Sequence, residues 1–99
     1  MRRAARVDAN HAAIVCALRR AGCSVQSLAA LGSGVPDLLV GVAGQNRLFE
    51  IKDGDKSPSR RALTEDEIAW HTAWRGNVMT VESVDQALAT VCEIRKGNC

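Results

Sequence analysis

The sequence predicts an α/β domain in which a mixed central sheet is flanked by helices. Three observations carry this. Helical apolar spacing recurs in three separate stretches, one at each end of the chain and one between them. Short alternating or wholly apolar runs, bounded by Gly and Pro turns, fill the remaining positions. Two of these runs are close enough to form a hairpin, and a helix then crosses over to a further strand, which makes the sheet mixed. With 99 residues and a hydrophobic share of 46%, the chain supports one domain with one core.

Taken in order, the first helix opens near Asp8, a suitable N-cap, and ends at Gly22, a good terminator. Ile14, Val15 and Leu18 form its stripe, and Arg19 and Arg20 place positive charge where the helix dipole favours it. Residues 23–28 alternate as a half-buried strand does. Gly32-Ser33-Gly34 turns the chain, and Pro36 keeps Val35 extended. Residues 37–42 are apolar enough for a central strand. A turn at 43–46 returns the chain as a third strand over 47–52, and a polar loop follows over 53–63. Thr64 opens the second helix with Glu67 three residues on, the capping-box spacing. That helix carries Ile68, Trp70, His71 and Trp74 and stops before Gly76. Residues 77–82 form a fourth strand. Ser83, with Gln86 three residues later, caps a last helix whose core face is Val84, Ala87, Leu88, Val91 and Ile94. The order is α-β-β-β-α-β-α.

Composition removes several function classes. The apolar runs, such as Leu38-Leu39-Val40, are too short to span a membrane. The basic start, Met1-Arg2-Arg3-Ala4-Ala5-Arg6, leads into no apolar signal segment, so a cytoplasmic location is expected. Cys16, Cys23, Cys92 and Cys99 show no CxxC spacing, which argues against zinc. Cys16 and Cys92 are expected as buried reduced thiols and Cys99 as an exposed one. A net charge of +2 decides nothing about partners, although Arg2-Arg3-Arg6, Arg19-Arg20, Lys56-Arg60-Arg61 and Arg95-Lys96 are local positive clusters.

Two segments put charge where a buried strand is ordinarily apolar: Gly34-Val35-Pro36-Asp37-Leu38-Leu39-Val40-Gly41 and Leu48-Phe49-Glu50-Ile51-Lys52. Strand alternation sends Glu50 and Lys52 to one face, with Phe49 and Ile51 pointing into the core. A hairpin lays the start of one strand beside the end of the other, so Asp37 approaches both. Two carboxylates and an ammonium at one end of a central sheet are costly unless used. A hard cation such as Mg²⁺ relieves the carboxylate repulsion and promotes attack of water on a phosphodiester. Lys52 suits the orientation of that water and the stabilisation of transition-state charge. A lone E-x-K is more simply an ion pair; the joint pattern is harder to reach by chance.

This P-D…E-x-K arrangement resembles the PD-(D/E)xK nuclease superfamily. More closely, the stretch from Asp8 through Leu88 is similar to the VRR-NUC family, especially its short stand-alone phage and bacterial members. Asp8-Ala9-Asn10-His11, the two segments above with Asp53-Gly54, Leu63-Thr64, and Trp70-His71…Trp74-Arg75-Gly76 carry the likeness. The resemblance implies a restriction-endonuclease-like αβββαβ(α) core and a Mg²⁺- or Mn²⁺-dependent DNA endonuclease of a bacterial or phage-infected cell. It implies Asp37 and Glu50 as ligands, the backbone carbonyl of Ile51 as a further one, and Lys52 as the catalytic lysine. Structure-selective cleavage, including of four-way junctions, and a homodimeric working form are also implied. The chain departs from the family at Asn10, where many relatives have an acidic residue, and at Glu65, Asp66 and Glu67, where they often carry Gln.

Asn10 is a candidate ligand through its amide oxygen and equally a helix-start residue. His11 reads foremost as a packed polar side chain, and nothing in the sequence places His71. Lys56, Ser57, Arg60 and Arg61, with Ser59, follow the catalytic strand directly, so they serve either as phosphate contacts or as a solubilising loop. Trp70 and Trp74, four apart, suit packing on the sheet or across a dimer better than base stacking. The competing reading is a non-catalytic junction-binding or scaffolding protein that keeps the nuclease fold. A third is an interaction module whose strand-end charges merely form ion pairs.

Overall fold

In a computed structural model, which describes residues 8–97, the elements are α1 (His11–Arg20), β1 (Ser24–Ser27), β2 (Leu38–Val42), β3 (Gln45–Ile51), α2 (Glu65–Ala73), β4 (Val78–Val81) and α3 (Val84–Gly97). Short 3-10 turns at Ala29–Leu31 and Pro58–Arg60 were not foreseen, because three residues are too few to show a period. The basic cluster Arg2-Arg3-Arg6 and Cys99 lie outside the described residues. The protein is mixed α/β: four strands lie in the order β1-β2-β3-β4, the first three antiparallel and β4 parallel to β3.

The β2–β3 hairpin closes through two residues, Ala43 (φ +53°) and Gly44 (φ +73°), both in the left-handed region. That pairing of signs gives the turn whose twist matches the strands it joins. The register follows from it, with Val42 opposite Gln45 and Leu38 opposite Phe49. A parallel partner requires a crossover, and α2 supplies it between β3 and β4.

One face of the sheet is dry. Ile14 and Leu18 of α1 and Ala87, Val91 and Ile94 of α3 close over Leu38, Val40, Val42, Phe49, Ile51 and Val81. Each large side chain so buried contributes about 1.5–3 kcal/mol. Because strand neighbours alternate, Glu50 and Lys52 face the opposite side, and there α2 meets them. Among the described residues no helix is long and apolar enough to cross a membrane.

Three expectations are corrected. The first helix begins at His11, with Asn10 rather than Asp8 at its N-cap position and no side-chain cap bond; Asp8 is linked to it only through its carbonyl, which accepts from His11 N–H at 3.0 Å. The Asp8 carboxylate is turned instead to Lys56, 3.2 Å away. Cys16 and Cys92 are exposed, not buried. The inward stripes are narrow: Ile14 and Leu18 face the core and Cys16 falls between them, while Cys92 follows the buried Val91 and points outward. Among the described residues Cys23 is the buried thiol, and burial raises its pKa against the smaller opposing effect of Arg95.

Candidate active site

The hairpin register builds the site. Extending the β2–β3 pairing by one residue beyond Leu38–Phe49 sets Asp37 directly opposite Glu50. Cross-strand neighbours of this kind have Cβ atoms about 4.5–5.5 Å apart. The chain holds Asp37 there at two points. Its carbonyl accepts from Leu28 N–H at 2.7 Å, and its carboxylate oxygen Oδ2 accepts from Ile51 N–H, also at 2.7 Å. The second bond uses a strand N–H left over where the β2–β3 pairing stops, and the same carboxyl group also hydrogen-bonds Glu50. Ile51 thus presents its N–H to the Asp37 side of β3, and in a strand the carbonyl of the same residue faces the same way. Lys52 N–H turns to the other side, donating to Val81 O at 3.0 Å.

Glu50 is 2% exposed and Lys52 is 8% exposed, which makes them the buried charged residues among the described residues. They meet α2 in a matched array. Lys52 Nζ donates to Glu67 Oε1 at 2.6 Å, and His71 Nε2 lies 3.4 Å from Glu50 Oε1. Four residues along a helix advance about 6 Å, and two along a strand about 6.6 Å. Glu67 and His71 are therefore spaced to meet Lys52 and Glu50, and Glu67 also hydrogen-bonds Glu50.

The electrostatics follow from this crowding. Burial, and then the Asp37 carboxyl beside it, push Glu50 up to about 10. Burial alone would lower Lys52, but the hydrogen bond and charge of Glu67 outweigh it and raise the ammonium above its usual value. Burial likewise opposes the ionisation of Glu67, yet Lys52 and the Thr64 N–H hold it below the ordinary carboxylate range. His71 is lowered, chiefly by burial, so its imidazole is neutral at pH 7.

Asp37, Glu50, Lys52 and Glu67 line an open cleft of about 310 Å³, and His71 lies outside that lining. Asp8 and Lys56, the Gly32–Val35 loop, Thr64 and Asp66 complete its lining. The structure brings Asp37, Glu50, Lys52 and Lys56 of the sequence-derived set to this cleft. Asn10 and Arg61 line a neighbouring depression with Asp53, Gly54 and Glu82. Asn10 Nδ2 donates to Lys52 O and Glu82 O, both at 3.1 Å, and so ties together the ends of β3 and β4. Its buried Oδ1 has no partner among the described residues. Arg61 bonds Gly54 O at 2.8 Å and pairs with Glu82 at 3.3 Å, which secures the loop. Arg60 is exposed, and Ser57 and Ser59 hydroxyls lie 3.5 Å apart at the surface.

The donor set fits a hard divalent cation. Two facing carboxylates, one of them held protonated at neutral pH by burial and by the other, are what such an ion would relieve. Among the described residues no three His, Cys, Asp or Glu side chains form a metal cage. Mg²⁺ does not require one, since it binds one or two carboxylates and keeps several waters. Glu67 and His71 were not singled out for these roles from sequence. Their i, i+4 spacing matches the i, i+2 spacing of Glu50 and Lys52 only once α2 is seen to lie over β3. No protein-family model matches the chain, nor does any curated protein or solved structure.

Proposed function

We propose that the protein is a divalent-metal-dependent endodeoxyribonuclease of the VRR-NUC type within the PD-(D/E)xK superfamily, acting on branched DNA such as four-way junctions. The observation that carries this reading is the placement of Asp37 opposite Glu50, with Lys52 on the same face at the floor of an open cleft. Asp37 Oδ1, the Glu50 carboxylate and the Ile51 carbonyl would hold Mg²⁺ or Mn²⁺. When bound, the cation makes water a stronger nucleophile and offsets charge developing on the phosphate. Lys52 presents its ammonium to the attacking water and to the transition-state oxygens. Asp37 keeps its position through Ile51 N–H, so the acidic pair does not splay when the cation leaves. Lys56 and Arg60 contact phosphates and position the strand without reading its sequence. The working form is a homodimer, since paired cuts across a junction need two centres. A monomeric mass by sedimentation at micromolar concentration would remove that part.

The test is cleavage of matched single-stranded, duplex, flap and four-way substrates with Mg²⁺, with Mn²⁺ and with EDTA. Lys52→Ala and Asp37→Asn are each expected to lower kcat by about 100-fold or more. Asn in place of Asp37 keeps an oxygen for Ile51 N–H, so the loss reports chemistry rather than folding. Undiminished turnover by either folded variant refutes the assignment, as does DNA binding with no metal-dependent cleavage of any substrate.

A further inference from the structure

We infer that Glu67 is a positioning residue for Lys52, so that the first turn of α2 sets the reach and direction of the ammonium over the cleft. The inference rests on the nuclease reading and extends it to a residue outside the D…E-x-K set. One carboxylate oxygen, Glu67 Oε1, accepts from Lys52 Nζ at 2.6 Å and from Thr64 N–H at 2.8 Å. The Thr64 hydroxyl in turn accepts from Glu67 N–H at 3.2 Å. A capping box normally fixes a carboxylate to its own helix and stops there. Here the fixed carboxylate is shared with a lysine on another element, 15 residues away in sequence.

The consequence is mechanical. A lysine side chain has four rotatable bonds and little intrinsic preference for one direction. Lys52 is instead held by an acceptor that has no freedom of its own, because the helix start locks it. The pair is mostly withdrawn from solvent, with side-chain exposures of 11% and 17%, so the attraction is only weakly screened. The Gly34 loop lies against the backbone of the same turn: a Cβ at Gly34 would stand 2.2 Å from Asp66 O. The backbone of Glu67 is thus held against the loop and its carboxylate against Lys52, which inherits that order. Misplacement of a reacting group by about 1 Å can cost about 100-fold in rate.

The experiment measures kcat and KM on the substrate that the wild type cuts best, with Mg²⁺. Glu67→Ala is expected to lower kcat by about 10- to 100-fold and leave KM for DNA unchanged. Glu67→Gln, which keeps an oxygen for both Lys52 and Thr64 N–H, is expected to restore most of kcat. In a Lys52→Ala background, Glu67→Ala is expected to add no further loss, because the two act through one ammonium. Ser83→Ala removes the cap that Ser83 Oγ gives Gln86 N–H at 3.0 Å, away from the cleft. It serves as the control for destabilisation, with lowered Tm and kcat intact. Should Glu67→Ala fail to fold, Glu67→Asp keeps charge at the helix start with a shorter arm and is expected to show the same kcat loss. Wild-type kcat in Glu67→Ala or Glu67→Asp, or an independent loss on top of Lys52→Ala, overturns the inference while the nuclease reading stands. A wild type that cuts nothing overturns both.

Discussion

Glu50 sits at 2% exposure with a second carboxyl across the strand pair, and its pKa of about 10 lies above the 4.5 of an ordinary glutamic acid. Between those values the folded state holds a proton that the unfolded chain has released. Stability from this group is therefore complete below about pH 4.5 and declines as pH rises toward 10. Glu67 has the opposite sign: its pKa is lowered, so its contribution is present above the unfolded value and is lost in acid. In EDTA, Tm is expected to fall from pH 6 to pH 9, Glu50→Gln is expected to flatten that fall, and Mg²⁺ at pH 8 to reverse it. A wild-type profile as flat as that of Glu50→Gln would mean the carboxyl is not desolvated as described. His71 Nε2 lies 3.4 Å from the Glu50 carboxyl group on the helix side. If Glu50 holds Mg²⁺ as proposed, His71→Ala is expected to weaken Mg²⁺ binding by roughly 10–100-fold, the usual cost of losing an outer partner of a metal ligand. Calorimetric titration of the two proteins measures it, and equal affinities would count against the role.

At the scale of the element, α2 is unusual in burying none of its residues, so polar contacts and close backbone approach locate it. Gly34 shows how tight that approach is. At φ +83°, with Asp66 O 2.2 Å from where a Cβ would stand, the position admits no side chain without moving the helix start. Gly34→Ala is expected to lose about 2 kcal/mol or more in urea unfolding, combining backbone strain with displacement of α2. A change below about 0.5 kcal/mol, the range of an ordinary surface substitution, would show that the loop yields freely. The elements differ in how far sequence betrayed them. The capping box at Thr64 and Glu67 and the hairpin were legible because both are local. Asp37, Glu50 and Lys52 were legible for the same reason: alternation and a short turn bring them together. The partners of Glu67 and His71 were not, because they depend on where a helix lies over a sheet. Cys16 and Cys92 were misread because an apolar neighbourhood in sequence is wider than the stripe that faces the core. Asn10 was placed on the right helix end, but which carbonyls it reaches depends on strand ends 42 and 72 residues away.

Across the whole molecule the two faces of the sheet have divided tasks. α1 and α3 seal the apolar side, while the side under α2 stays open enough for a cleft and for stacked Trp70 and Trp74, whose ring centroids are 4.6 Å apart. The parallel pairing of β3 with β4 is non-local, whereas the β2–β3 hairpin needs only Ala43 and Gly44 to turn the chain. That two-residue loop has a kinetic consequence. Hairpins close in about 1–10 μs, and long-range pairing comes later. Asp37 and Glu50 thus meet while the chain is still mostly unstructured, and their repulsion is felt on the way up the folding barrier. Mg²⁺ is expected to speed refolding in stopped-flow measurements while leaving the unfolding limb nearly unchanged. An effect confined to unfolding would mean that the acidic pair assembles only after the barrier is crossed.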